Sequence, residues 1–181
     1  MTDAQPLDLR PTLRGRHVIV RPLHTDDWTS LFALASDPLI WAQHPASNRY
    51  QEDVFREFFS VALASHSAFL ITDANDGRVI GSSRYHGYNA EAREIEIGWT
   101  FFARSHWGGR YNGELKQLML KHAFQCVDRV IFVIGAENIR SRLAVERIGA
   151  TLLEWHASGG PGHVVYAITR VGYTVPSGLP S

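Results

Sequence analysis

Apolar and polar positions alternate or cluster along the chain so as to mark out one element after another. His17-Val18-Ile19-Val20-Arg21 reads as a strand closed by Pro22. Thr25 then caps a helix whose first turn holds Asp26 and Asp27, with Trp28, Leu31, Phe32 and Ala35 as one buried stripe and Asp37-Pro38 at its end. A loop through Trp41, His44, Pro45 and Asn48 leads to a second helix over about 51–64. There Val54, Phe55, Phe58, Phe59 and Ala62 make a broad apolar face, and Asn48 with Gln51 fits a capping box. Ala68–Ile71 is a strand, Asp76-Gly77 a hairpin turn, and Val79–Ser83 opens the returning strand. Ile95, Ile97, Trp99 and Phe101 alternate with Glu96, Gly98 and Thr100 in another strand. Past the glycine-rich stretch 103–113, Leu115, Leu118, Met119 and Ala123 form a helical stripe that carries on toward Cys126. Val130–Ile134 lacks alternation, which predicts a central strand buried on both faces. Residues 139–148 form a short helix stopped by Gly149, and Thr151–Trp155 pairs with Val164–Ile168 around the turn SGGPGH.

The order is therefore strand, two helices, three strands, helix, strand, helix, two strands, a mixed α/β (α+β) domain. Its 181 residues suit one domain. Residues 1–14, polar and punctuated by proline, and 173–181 are expected to be flexible, leaving 15–172 as the folded unit. Composition excludes several classes. The longest aliphatic runs stop at five residues, far from the roughly 20 of a bilayer helix. The first ten residues carry two Asp and no apolar core, which argues against a secretory signal. A lone Cys126 forms no internal disulfide, so a cytoplasmic home is expected. The formal net charge of zero argues against nucleic acid as a partner. Residues 1–101 nevertheless hold 9 Arg/Lys against 13 Asp/Glu, and residues 102–147 hold 8 against 4. The second half thus suits a multiply charged anion, and the first half would draw a cation.

The chemistry concentrates in two places. Gly108 and Gly109 stand between a strand and the first turn of a helix, where unpaired N–H groups and the helix dipole favour a phosphate. Arg104 and Arg110 flank them as possible charge partners. Neither a P-loop nor a dinucleotide fingerprint is present. A plain connection that needs two small residues also fits this spacing. The second place is Glu137-Asn138-Ile139-Arg140-Ser141, at the carboxyl end of the central strand and the start of the next helix. Helix capping alone would account for Asn138 and Ser141. The nine histidines form no HExxH or tight ligand cluster, so no metal site is expected.

Four passages in register carry a resemblance: LRGRHVIVRPLHTDDW, EIEIGWTFFARSHWGGRYNGE, VIFVIGAENIRSRLAVERIGA and VVYAI. Over about residues 12–172 the chain resembles the GCN5-related N-acetyltransferase (GNAT) superfamily, and within it the subgroup that acetylates the N-terminal amines of ribosomal proteins. The resemblance implies a central, mixed, mostly antiparallel sheet of about seven strands flanked by about four helices. It also implies acetyl-CoA as co-substrate, an amine acceptor, and a monomer or homodimer. The family holds the CoA pyrophosphate on an Arg/Gln-x-x-Gly-x-Gly/Ala loop. Gly108 falls on its first glycine and Glu114 on a helix glutamate common in the subgroup, whereas Ser105 and Arg110 depart from the pattern.

The implied cofactor-binding residues are Trp99, Thr100, Arg104, Trp107, Gly108, Gly109, Arg110, Tyr111, Asn112, Gly113 and Asn138. By the same resemblance Asn138 lies near the thioester, and Ser141 is the general acid toward the departing thiolate. The tyrosine used by other branches is replaced here by Leu143, Ala144 and Val145. Glu96 is the favoured base, directly or through a water, with Glu94 of the same strand parity as the fallback. Trp41, His44 and Tyr85 are expected at the acceptor. An N-terminal α-amine near pKa 8 needs less help than a lysine amine near 10.4, so it is the favoured acceptor. Small-molecule amines, and a catalytically silent CoA-binding module, are the alternatives.

Overall fold

The structure is a computed structural model that describes residues 6–155 and 162–173. The expectations for residues 1–5 and 174–181, and most of the turn SGGPGH, lie outside the described residues. Eight strands form one sheet: β1 (Leu13–Arg14), β2 (Val18–Pro22), β3 (Ala68–Asp73), β4 (Val79–Asn89), β5 (Glu94–Phe102), β6 (Arg129–Gly135), β7 (Thr151–Trp155) and β8 (His163–Thr169). Four helices accompany them: α1 (Trp28–Ala35), α2 (Glu52–Ala64), α3 (Arg110–Ala123) and α4 (Ile139–Glu146). The strand order is β1-β2-β3-β4-β5-β6-β8-β7. Every neighbouring pair is antiparallel except β5–β6.

Two apolar clusters fix the layers. One joins Leu115, Met119 and Leu120 of α3 and Val145 of α4 to sheet residues such as Val18, Phe69, Ile95 and Phe132. The other joins Leu31 and Ala35 of α1 and Phe55 and Phe59 of α2 to Leu70 and Phe101. The sheet is thus covered on both faces. Among the described residues no helix is long and apolar enough to cross a membrane.

Several details differ from the sequence reading. Residues 6–14 are packed rather than loose: Leu7 is 6% exposed within the core, and β1 pairs with β2. A single turn of 3-10 helix spans Thr25–Asp27 before α1, and the Asp27 carboxylate accepts the His24 N–H at 2.8 Å, so Thr25 is not the cap. Gln51 starts α2 without a side-chain cap bond, which replaces the expected capping box. Cys126 lies in the turn after α3, because the helix ends at Ala123. In β6, Val130, Phe132 and Ile134 are buried while Ile131 and Val133 are only half-buried. One face of β6 is incompletely covered because β5 leaves it.

That departure creates the cleft. β5 and β6 are in register only at Glu94↔Arg129, Ile95↔Val130 and Glu96↔Ile131. Beyond Glu96, β5 stays with β4 as far as Phe102, and β6 stays with β8 as far as Gly135. Between Ser82↔Phe101 and Arg84↔Gly98, two residues of β5, Trp99 and Thr100, oppose Ser83 alone. This is a β-bulge, and Trp99 sits at φ 52°, a left-handed conformation that costs an L-residue energy. The extra residue bends β5 away from β6 and opens the sheet.

Candidate functional site

The split between the strands is a cleft of about 490 Å³, lined by β5, β6, the start of α3, the start of α4 and the loop after α1. At the α3 end, Gly108 and Gly109 have φ of 109° and 101°, values that exclude ordinary L side chains. A Cβ on Gly108, Gly109 or Gly113 would meet nothing within 4 Å, so the glycines border open space. The first helical bond of α3 runs from the Gly113 N–H to the Gly109 carbonyl at 2.7 Å. The N–H groups of Arg110, Tyr111 and Asn112 precede it and have no helical partner. The buried Asn112 Oδ1 has no partner among the described residues. Open space, free donors and an orphaned polar atom together suit a phosphate-bearing ligand with further polar groups.

The flanking cations divide. Arg104 Nε donates to Asp37 Oδ2 at 2.5 Å, an ion pair beside the cradle, and Arg104 does not itself line the cleft. Arg110 is exposed at the first position of α3, beside the free N–H groups. Tyr111 also departs from expectation: its hydroxyl donates to Asp73 at 3.1 Å and its ring packs edge-on against His106, away from the cleft. Only its main chain faces the phosphate cradle. Trp107 donates its indole N–H to the Phe102 carbonyl at 3.0 Å, and the Arg140 guanidinium stacks on it at 3.9 Å, spanning the mouth of the cleft.

Midway along the cleft, Glu96 extends beside Gly98, where a Cβ would come within 3.0 Å of its Oε1. Burial pushes its carboxyl up to about 7, against the Val133 N–H bond and the charges of Lys116 and Arg84. Glu94, the fallback base, is instead paired with Arg129 across the strand ends. Lys116, which the sequence reading did not single out, is only 4% exposed and lines the cleft from α3. Its ammonium donates to Thr100 Oγ1 at 2.6 Å, and burial pulls its pKa well down, with Glu96 opposing. Thr100 is held in turn by the Ser83 hydroxyl at 2.8 Å. At the amino end of α4, the buried Asn138 accepts the Ser141 N–H at 3.2 Å as a cap. The hydroxyl of the half-buried Ser141 lines the cleft.

On the wall formed by the loop after α1, Trp41 and His44 both line the cleft. Trp41 is 2% exposed, and its indole N–H donates to the Ala35 carbonyl at 2.8 Å, so it belongs to the core as well. Tyr85 does not reach the cleft. It is fully buried, and its hydroxyl donates to the Met119 carbonyl beneath α3. Strand alternation sends the neighbouring Arg84 to the other face, where it is buried over the Phe58 and Trp99 rings at 5.5 and 4.8 Å and does not line the cleft. Cys126 does not line the cleft. No group of three metal-ligating side chains occurs among the described residues.

Comparison with known proteins gives one family and many similar folds. The acetyltransferase (GNAT) domain model matches residues 17–151. No curated protein matches the chain significantly. A probable GNAT acetyltransferase from Chromobacterium violaceum is similar in structure, with a TM-score of 0.79 and 21% identity over 93% of this chain and 92% of its own. Mycobacterium smegmatis RimJ, solved in complex with CoA-disulfide, gives 0.65 and 20% over 89% of this chain and 87% of its own. A spermidine N-acetyltransferase from Vibrio cholerae, in complex with CoA and spermine, gives 0.64 and 19% over 87% and 98%.

Proposed function

The chain belongs to the GNAT acetyltransferase family, and from that premise we propose that it passes the acetyl group of acetyl-CoA directly to an α-amine, with Glu96 as the base. Acetyl-CoA supplies an activated acyl group on a thiol leaving group. Its pyrophosphate suits the N–H groups at Gly108–Asn112 and the free guanidinium of Arg110, and its amide-bearing arm suits the orphaned Asn112 Oδ1. The main chain around the Trp99–Thr100 bulge is placed to hold the developing oxyanion.

The observation that carries this reading is the carboxyl of Glu96 inside the cleft. An ammonium has no lone pair, so a proton must leave before or during attack. A base near 7 is well matched to an α-amine near 8, and poorly matched to a lysine amine near 10.4. Glu96 takes the proton from the amine, and the Ser141 hydroxyl gives one to the departing thiolate and recovers it from solvent. Lys116, bound to Thr100, offsets the charge that Glu96 acquires on ionising. The favoured acceptor is the α-amine of a peptide or protein N-terminus, in keeping with the resemblance to the ribosomal-protein subgroup.

A small free amine is the second reading, and a polyamine is its least favoured form. The spermidine acetyltransferase shares the fold, but a polycation needs acidic walls. Among the described residues lining the cleft, Glu96 is the one acid against Arg49, Lys116, Arg140 and Arg147. The test is one peptide with a free α-amine and an internal lysine, beside its α-blocked copy, with thiol release and product mass both read. Acetylation confined to the free α-amine is expected. Rapid acetylation of the blocked copy, or of a polyamine but neither peptide, overturns the choice.

A further inference from the structure

Two guanidiniums, Arg49 on the cleft wall and Arg84 packed against the Trp99 ring, have no carboxylate partner among the described residues, unlike other arginines of this protein. Arg21 is paired with Asp27, Arg104 with Asp37 and Arg93 with Asp128. Arg49, by contrast, lies over the rings of Trp41 and Phe58, at 5.2 and 4.6 Å. Arg84 lies over Phe58 and Trp99, at 5.5 and 4.8 Å. Both guanidiniums face the Phe58 ring, and the charge of Arg84 adds to burial in lowering the pKa of Arg49. Arg84 is 4% exposed, and its Nε is buried with no hydrogen-bond partner among the described residues. Burial pulls both side chains down to about 10, so their charge is kept at a cost.

His44 sharpens the point. Its Nδ1 accepts the Ala46 N–H at 2.9 Å, so the neutral ring must carry its proton on Nε2. Nε2 lies 3.3 Å from the Arg49 NH1. Two donors therefore face each other, and protonating the ring would not help. Burial, with Arg49, His163 and Arg140 nearby, holds its pKa down at about 4. An acceptor placed beside this pair satisfies both donors at once. The acid of the cleft nearest in charge coupling to Arg84 is Glu96, which the reaction needs as a base.

We propose that the acceptor amine carries a carboxylate, which Arg49 binds with the Nε2–H of His44, the buried charge of Arg84 standing behind them, while the amine faces Glu96. This rests on the acetyl-transfer reading above and names its substrate class. Arg49, His44 and Glu96 line the same cleft, so the carboxylate and the amine belong to one small acceptor group. A free amino acid offers that arrangement, and so does a peptide whose first residue is Asp or Glu. The phosphate cradle is built by the start of α3, a different wall of the cleft from the loop that carries His44 and Arg49.

The test uses the whole chain with acetyl-CoA and matched acceptor pairs: Asp- against Asn-initiated peptides, Glu- against Gln-initiated peptides, and free amino acids against their carboxamides. The acid member of a pair should have a kcat/KM about tenfold or more above its amide. Whether the peptide or the amino-acid pairs show the preference identifies the source. Arg49→Gln, in a half-buried loop position, should collapse the acid-to-amide ratio toward one, and Arg49→Lys should retain part of it. Calorimetric CoA affinity monitors folding. Equal rates for acid and amide overturn the proposal while leaving the acetyl-transfer reading intact, as does a fall in CoA affinity with an unchanged ratio. If no amine is acetylated, the acetyl-transfer reading fails instead. Calorimetry of the acid against the amide then still decides the carboxylate site, with equal affinities overturning it.

Discussion

Replacing Glu96 with Gln tests the base and the burial of the cleft together. In the folded protein burial raises the Glu96 pKa from 4.5 to about 7. Between those values the folded state binds more protons than the unfolded state, so stability is fully present below pH 4.5 and falls as pH rises toward 7. At 1.36 kcal/mol per unit the fall is about 3 kcal/mol, reduced by whatever solvent reaches the carboxyl. Lys116 acts in the opposite sense. Its pKa is lowered from 10.5, so stability lost through it near neutrality returns as pH rises further. Urea unfolding of the parent between pH 4.5 and 8 should therefore show a decline that Glu96→Gln lacks. The acid limb of kcat/KM near pH 7 should disappear in the same variant, and turnover should fall by about 10²–10⁴. A Gln variant that keeps both the stability decline and the acid limb would refute the assignment of either to Glu96.

Gly109→Val forces a β-branched residue to φ 101° in the cradle, and calorimetry should show CoA affinity lost in a protein that still melts cooperatively. Arg110→Ala should weaken CoA by about 1.5–3 kcal/mol, less at high salt, whereas Arg104→Ala should leave CoA affinity alone because Arg104 is engaged by Asp37. Ser141→Ala should lower kcat roughly tenfold with little change in CoA affinity, and a change confined to the KM for acetyl-CoA would make Ser141 a binding residue. Glu114→Ala should destabilise the protein by about 3 kcal/mol or more in denaturant unfolding, since its carboxylate accepts the N–H groups of Arg16, His17 and Val18 at 2.7–2.9 Å.

Periodicity carried the fold well, because helices and strands here obey the rule that apolar spacing reflects burial. α2 and β5 fall where Phe55, Phe59, Ile95 and Ile97 place them. Position within the cleft was harder to read. Tyr85 was expected at the acceptor, and only the pairing of β4 shows that its ring is sent beneath α3 instead. Arg104 looks free in the sequence, and its partner Asp37 lies 67 residues away. Lys116 did carry a signal. It falls four residues after Asn112 and four before the buried Leu120, so a lysine stands on a helix face that is otherwise apolar or turned to the cleft.

Charge summed along the chain pointed the wrong way at the acceptor end. Residues 1–101 carry a surplus of acid, which suits a cationic acceptor. Yet many of those acids are spent elsewhere: Asp27 on Arg21, Asp37 on Arg104, Asp76 on Arg78, Glu52 on Arg56. Of the segment's cations, Arg49 lines the cleft beside His44 and Arg84 is packed behind it on Trp99, and neither has such a partner among the described residues. A field is set by where charges sit and what screens them, and two guanidiniums stripped of water outweigh paired carboxylates in solvent. The local sign at the acceptor end is thus opposite to the sign of the segment that builds it.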